Sequence, residues 1–314
     1  MGKEEIVKKF FEKGFLISPK VLEEVDEENL DEVLKSVEKK EIFIESIKKP
    51  KFSVKIREIN IKNKLSPHDF IEYFNNKYEG IKNLLVKKIN PVSINKVSNF
   101  NSNVDIIGIV KEVSPNGIIL EDPTGEIEVN IKDTENIFVN DVVGVNGYMK
   151  NGKFFGNKII FPDVPLTNEI KKIKNIKLIL TTKINEKMNS NDLILIPEFK
   201  ENLTKENIIS NFPNPGWIKI SKEDKDFNIL VYKPKENLTK EEVLNFIKKR
   251  HLSPSLNQIL NKEDYFLIDP IPDIIWLISN KKWIENYKGI TIISNKDSVA
   301  VVNLETREVE FKDI

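Results

Sequence analysis

The chain has 314 residues, enough for two or three domains with real hydrophobic cores. Its 49 basic and 49 acidic residues balance, so no global field draws it to nucleic acid or membrane, and any DNA contact must use a local patch. The absence of cysteine excludes disulfides, thiol catalysis and Cys-based zinc sites and fits a cytoplasmic location, while the presence of only two histidines, His68 and His251, excludes mechanisms that need several imidazoles.

The first residues are charged from Lys3 to Glu5, with no signal-peptide core behind them, and no apolar run reaches the roughly 18–20 residues needed to span a bilayer. Glu4 to Val37 read as a small helical unit. Ile6, Val7, Phe10 and Phe11 fall at helical spacing, Ser18-Pro19 suits a second helix start, and a third short helix runs through Leu34 and Val37. The charged stretch 41–68 reads as a linker carrying a short strand, with weak alternation through Phe52, Val54 and Ile56. Ser66-Pro67 caps the next helix, whose face repeats at Phe70, Ile71, Phe74, Tyr78, Ile81, Leu84 and Leu85 before Asn90-Pro91 ends it. His68, in the first turn, has no second ligand near it in sequence and reads as solvent-facing.

Val92 to Val164 alternates apolar and polar residues in short runs, as at Ile106/Gly108/Val110 and Ile127/Val129/Ile131. Turn chemistry separates the runs at Pro115-Asn116-Gly117, Asp122-Pro123-Thr124-Gly125, Asn140-Asp141 and Asn151-Gly152. Five short strands in this span suit a small closed barrel of the OB type, a fold that often binds single strands. A barrel whose face only packs against a neighbour fits the pattern equally well. Lys150, Lys153, Phe154 and Phe155 flank the last turn and are the candidate single-strand contacts. The alternative places one of the two phenylalanines inside the barrel and the lysines in solvent.

From Ile176 the pattern turns α/β. Lys177 to Leu180 and Asp192 to Ile196 suit buried strands, Thr204 to Phe212 reads as a short helix, and Trp217–Ile220 and Phe227–Tyr232 read as strands around a charged turn. Thr239 and Glu242 form a capping box for a helix that ends near His251. His251 reads as a helix-end residue interacting with the helix dipole. Four closing strands follow, over Ile274–Ile278, Ile290–Ser294, Val299–Leu304 and Val309–Phe311.

The phrases IIGIV, LEDPTGEIEV, DVVGVNGY and IIFPDVPL, the run DFIEYFNNKYEGIKNLLVKKINPVSINKV before them, and FIKKRHLSP and KEDYFLIDPIPDII after them resemble the small subunit of archaeal family D DNA polymerase. The resemblance runs collinearly from about Asp69 onward. It implies an OB barrel followed by a calcineurin-like phosphoesterase domain, in which two metal ions serve a 3′–5′ exonuclease. Two metals about 3.5–4 Å apart need Asp, His and Asn side chains at strand ends.

The family's four metal motifs are altered here. Thr182 and Ile184 stand in the slots of the Asp-x-His motif. In the Gly-Asn-His-Asp motif, Glu198 opens the stretch and Phe199, Lys200 and Glu201 follow. Lys233 replaces a histidine after a late strand, and Ser279 and Lys281 replace the histidines of Gly-His-x-His. The stretch between Thr182 and Asp192 is also much shorter than the family's. With two histidines in all, the ligand set cannot be filled, so the expectation is no metal, no cofactor and no catalysis by this chain alone.

The resulting fold class is α+β and multidomain: a helical N-terminal module (1–40), a linker (41–68), a helix plus OB barrel (69–166) and a trimmed, degenerate phosphoesterase-like sandwich (167–314). The resemblance implies a non-catalytic small subunit that docks a large catalytic subunit, with DNA as a further partner. Trp276, Trp283 and Tyr287, in or after the emptied fourth motif, are the candidate core or partner contacts. Two other readings stay open: a residual metal-dependent exonuclease through Asp192, Glu198, Glu201 or Asp273, and a free-standing single-strand binder that uses the barrel alone.

Overall fold

The computed structural model describes residues 3–13, 15–17, 19, 22, 25, 30, 34, 43–44, 52–174, 176–183, 192–197, 207–222, 225–254 and 258–313. The chain divides into two compact units, Met1–Ser53 and Val54–Ile314.

In the first unit, helix α1 (Lys3–Glu12) turns Ile6 and Phe10 into a small core with Val25 and Leu30. Leu16–Ile17 lie between the first expected helix and the second helix start at Ser18. These form strand β1, which pairs in parallel with β2 (Phe43–Ile44). Two adjacent β-branched or bulky apolar residues gain a ladder there that local propensity could not foretell. The second helix start at Ser18 lies outside the described residues.

Next along the chain come β3 (Ser53–Ile56) and helix α2 (Pro67–Leu85). Ser66 caps α2 in a reciprocal capping box with Asp69. Tyr78, Ile81 and Leu85 of α2 pack on Ile107 and Val142 of the barrel that follows. Ile71 is 61% exposed, so it is not part of the buried face; Tyr73 and Lys77 are.

The barrel is built from β4 (Val104–Ser114), β5 (Gly117–Asp122), β6 (Gly125–Asn130), β7 (Val142–Lys150) and β8 (Lys153–Ile160), closed in the order β4-β5-β6-β8-β7. β6 and β8 run parallel and every other pair is antiparallel. Ile106, Val110, Leu120, Val129, Val145 and Phe154 fill the interior. β4 is buried on both faces, because Ile107 points out of the barrel into the α2 interface. The Asn151-Gly152 reversal has positive φ at both residues (52° and 73°), the geometry of a two-residue type I′ hairpin.

Two sheets complete the unit. A five-stranded sheet has the order β11-β10-β9-β17-β18, from β9 (Lys177–Leu180), β10 (Leu193–Ile196), β11 (Ile208–Ser210), β17 (Ser298–Asn303) and β18 (Val309–Asp313). A six-stranded sheet has the order β15-β16-β14-β13-β12-β3, from β12 (Gly216–Lys222), β13 (Lys225–Tyr232), β14 (Ile274–Leu277), β15 (Trp283–Tyr287) and β16 (Ile290–Ser294) with β3 at the edge. The short strand expected in the linker is therefore part of this sheet. The helix expected over Thr204–Phe212 is corrected where it is described: Ile208–Ser210 is a strand paired in parallel with β10. Its β-branched residues complete the sheet, and tertiary pairing outweighs local pattern.

Helix α3 (Lys240–Lys249) carries the Thr239–Glu242 capping box and ends in a left-handed Arg250. Its Val243 and Ile247 cover Leu230, Tyr232, Ile275, Leu277 and Ile292 of the six-stranded sheet. No helix among the described residues is long and apolar enough to cross a membrane.

Candidate functional site

The altered motif positions lie at strand ends. Parallel pairing of β9, β10 and β11, and of β13, β14 and β16, sends the carboxyl ends of each group to one edge of its sheet. Asn295 ties the two edges together. Its backbone N–H donates to Leu277 O (3.1 Å), and its Nδ2 donates to Leu180 O (3.3 Å) and Ser298 O (2.7 Å). The residue is 1% exposed, and its buried Oδ1 accepts nothing among the described residues.

Around this knot the side chains are spent on the backbone. Thr182 Oγ1 donates to Lys296 O (2.7 Å), and Ser294 Oγ donates to Lys281 O (2.6 Å). Ser279, 5% exposed, donates to Asn237 Oδ1 (2.9 Å). Lys233 is held by its backbone: its N–H donates to Asn214 Oδ1 and its carbonyl accepts from Asn214 Nδ2, both at 2.9 Å. Ile184, Glu198, Phe199, Lys200 and Glu201 lie outside the described residues. The structure thus places Thr182, Lys233, Ser279 and Lys281 at the carboxyl ends of their strands. Thr182 and Ser279 offer neutral hydroxyls where a dication needs carboxylates or imidazoles, and Lys233 and Lys281 carry a charge that repels one.

The carboxylates of the exonuclease alternative sit elsewhere. Asp192 precedes β10 and Asp273 precedes β14, so both stand at the amino ends of their strands. Asp273 accepts from Asn228 N–H (2.8 Å), lies 3.7 Å from Lys171 Nζ, and its backbone carbonyl accepts from Arg307. Burial pushes its carboxyl above the usual range. No group of three or more His, Cys, Asp or Glu side chains able to hold a metal occurs among the described residues.

The barrel turn separates its four candidates. Phe154 is 1% exposed and belongs to the barrel core, so it has no face to offer a base. Phe155 is half-buried and stacks on Tyr148, ring centroids 5.9 Å apart and planes 24° from parallel. Lys150 and Lys153 are exposed beside that pair. Tyr148 carried the same alternation as its neighbours, but cross-strand stacking needs the β7–β8 register, which pairs Tyr148 with Phe155.

Trp276 is 0% exposed and is core, not surface. Tyr287 donates its hydroxyl to Asp163 Oδ1 (3.0 Å), while Lys288 Nζ grips Oδ2 of the same carboxylate (2.5 Å), so Tyr287 anchors β15 to the segment leaving the barrel. Trp283 is half-buried, with Lys240 Nζ 5.8 Å from its ring centre.

A buried polar cluster that no sequence pattern announced lies where α2, the barrel and the end of α3 meet. Lys249 Nζ donates to Asp141 Oδ2 (2.6 Å), Lys77 is 6% exposed nearby, and His251 is 1% exposed against Asp264. Ser253 N–H donates to His251 Nδ1 (2.9 Å). That nitrogen must therefore carry a lone pair, which leaves Nε2–H to donate to Asp264 Oδ1 at 3.2 Å. Burial first, and the Lys77 charge second, hold the imidazole below its ordinary pKa of 6.5, in keeping with this neutral tautomer. A buried, neutral, fully engaged imidazole fixes loops; it does not ligate a metal.

No protein-family profile matches the chain. It is 28% identical over 180 residues to the DNA polymerase II small subunit of Archaeoglobus fulgidus, a match covering 53% of this chain and 37% of that one. It is 35% identical over 117 residues to the DNA polymerase II small subunit of Methanothermobacter thermautotrophicus, covering 32% and 24%. The chain thus matches well under half the length of these curated relatives. Among solved structures, the telomere capping protein Ten1 from Saccharomyces pombe aligns with 23% of the chain at 13% identity and a TM-score of 0.21. By sequence, the chain is similar over part of its length to DNA polymerase II small subunits.

Proposed function

We propose that the chain is a non-catalytic small subunit of a replicative family D DNA polymerase, a scaffold that docks a large catalytic subunit. The sequence similarity to DNA polymerase II small subunits supports the assembly. The observation that carries the loss of catalysis is the strand-end edge itself, where Thr182, Ser279 and Ser294 hydrogen-bond to neighbouring chain segments and lysines replace would-be ligands. In this reading 1–40 is a helical module, 41–68 a linker, 69–166 a helix plus OB barrel, and 167–314 a phosphoesterase-like pair of sheets that keeps its fold for the interface it supplies. The closed order β4-β5-β6-β8-β7, with one parallel pair, supports the OB assignment, and the parallel strands at the centre of two sheets support the other.

The experiment is hydrolysis of 3′-labelled single-stranded DNA by the chain with Mg²⁺ or Mn²⁺. Turnover at background, unchanged by EDTA, is expected. Metal-dependent turnover abolished by replacing Asp192 or Asp273 would establish the residual exonuclease instead.

A second reading, single-strand contact by the barrel, is favoured by one feature: the Tyr148–Phe155 stack flanked by Lys150 and Lys153. Aromatic faces beside cations are the ordinary means of gripping unpaired bases.

A further inference from the structure

On the edge of the six-stranded sheet, away from the strand-end edge described above, lies a pocket of about 260 Å³ between β3 and β12, walled by Ile56, Ile218, Trp217 and Pro270. Lys55, Arg57 and Lys219 line its mouth. Lys219 is paired with Asp226 (2.5 Å). Lys55 and Arg57 are exposed and have no ion-pair partner among the described residues; Arg57 only lies 6.0 Å from the Tyr265 ring centre. Trp217 is 6% exposed, and its indole N–H has no acceptor among the described residues.

From these features we infer that the pocket is a docking site for an extended acidic segment of a partner protein, with one large apolar side chain as its anchor. The walls are apolar and suit an aliphatic or aromatic side chain. A nucleobase would leave most of its polar edge unpaired there, and Trp217 is too buried to offer a stacking face. The two unpaired cations sit at alternate positions of an extended segment, with Arg57 N–H still bonded to Trp217 O (2.9 Å). Alternate residues of a strand are about 6.4–6.8 Å apart, which matches carboxylates two residues apart on an extended peptide. This inference is independent of whether the chain sits in a polymerase.

The test is selection of a random peptide display library on the full chain, followed by affinity measurement of the selected peptides. The expected peptides carry a large apolar residue with Asp or Glu on either side. Their affinity falls at least tenfold in the Lys55→Glu/Arg57→Glu double variant, whose exposed positions leave the fold intact. Selection of peptides without acidic residues, affinity unchanged in the double variant, or displacement of the peptide by a single-stranded oligonucleotide would each overturn it.

Discussion

Lys249, at the end of α3, donates its ammonium to the Asp141 carboxylate at 2.6 Å, and each side chain is only 6% exposed. One ion pair therefore joins the barrel to the helix that covers the six-stranded sheet. The Phe138 ring lies over the same ammonium, 4.4 Å from its centre. Burying two charges is costly, and the contact persists because each is the other's partner.

Removing one partner leaves the other charge buried. Asp141→Leu or Lys249→Met alone is expected to destabilise the chain by about 3–5 kcal/mol. The double variant Asp141→Leu/Lys249→Met is expected to recover most of that loss. Urea unfolding of the four proteins checks it, read as a coupling energy in a double-mutant cycle.

His251 makes stability depend on pH. The folded ring resists protonation, while the unfolded chain takes up a proton near pH 6.5, its ordinary value. The unfolded state thus binds more protons below that pH, so its share of stability is present above about 6.5 and lost as pH falls. The slope approaches about 1.4 kcal/mol per pH unit for the one proton. Lys77, held below its usual range by burial, contributes with the same sign toward alkaline pH. Replacing His251→Gln, which keeps a donor toward Asp264, is expected to flatten the profile between pH 5 and 7 and leave the alkaline part.

The three aromatic residues of the emptied motif region divide by burial. Trp276→Ala opens a large cavity in the sheet and is expected to cost about 3–5 kcal/mol in unfolding. Trp283→Ala is expected to leave thermal stability within a few degrees of the parent and to weaken binding of a large polymerase subunit. Circular-dichroism melting and a pull-down measure the two effects separately.

Single-strand binding by the barrel, if carried by the Asn151-Gly152 turn, has an ionic signature. Lys150→Ala/Lys153→Ala is expected to weaken oligonucleotide affinity and lower the salt slope by up to about 1.4, as two lost phosphate contacts dictate. Phe155→Ala is expected to weaken affinity at all salt concentrations by about 1–3 kcal/mol without changing the slope. Fluorescence anisotropy at several salt concentrations distinguishes them.

Much of the fold was legible because it is written in short-range chemistry. Ser66-Pro67 and Thr239–Glu242 mark the starts of α2 and α3, and Asn151-Gly152 marks the last barrel hairpin. What escaped depends on distant partners. Ile208–Ser210 and Trp283–Tyr287 become strands because β10 and β16 offer them an edge. Lys77 and Lys249 look like solvated helix residues until Asp141 and Asp264 are brought beside them by the tertiary fold. The altered motif residues could be placed at strand ends from sequence. Their engagement with the backbone through Asn295 and its neighbours could not, because it rests on the meeting of two sheets.

The most direct test is co-purification of this chain with a family D polymerase large subunit, followed by primer-extension and 3′–5′ exonuclease assays on the complex. A stable complex that extends primers, with no exonuclease traceable to this chain, is the predicted result. Failure to form a complex while the chain alone binds single strands, or exonuclease activity lost on replacing Asp192 or Asp273, would contradict the scaffold role.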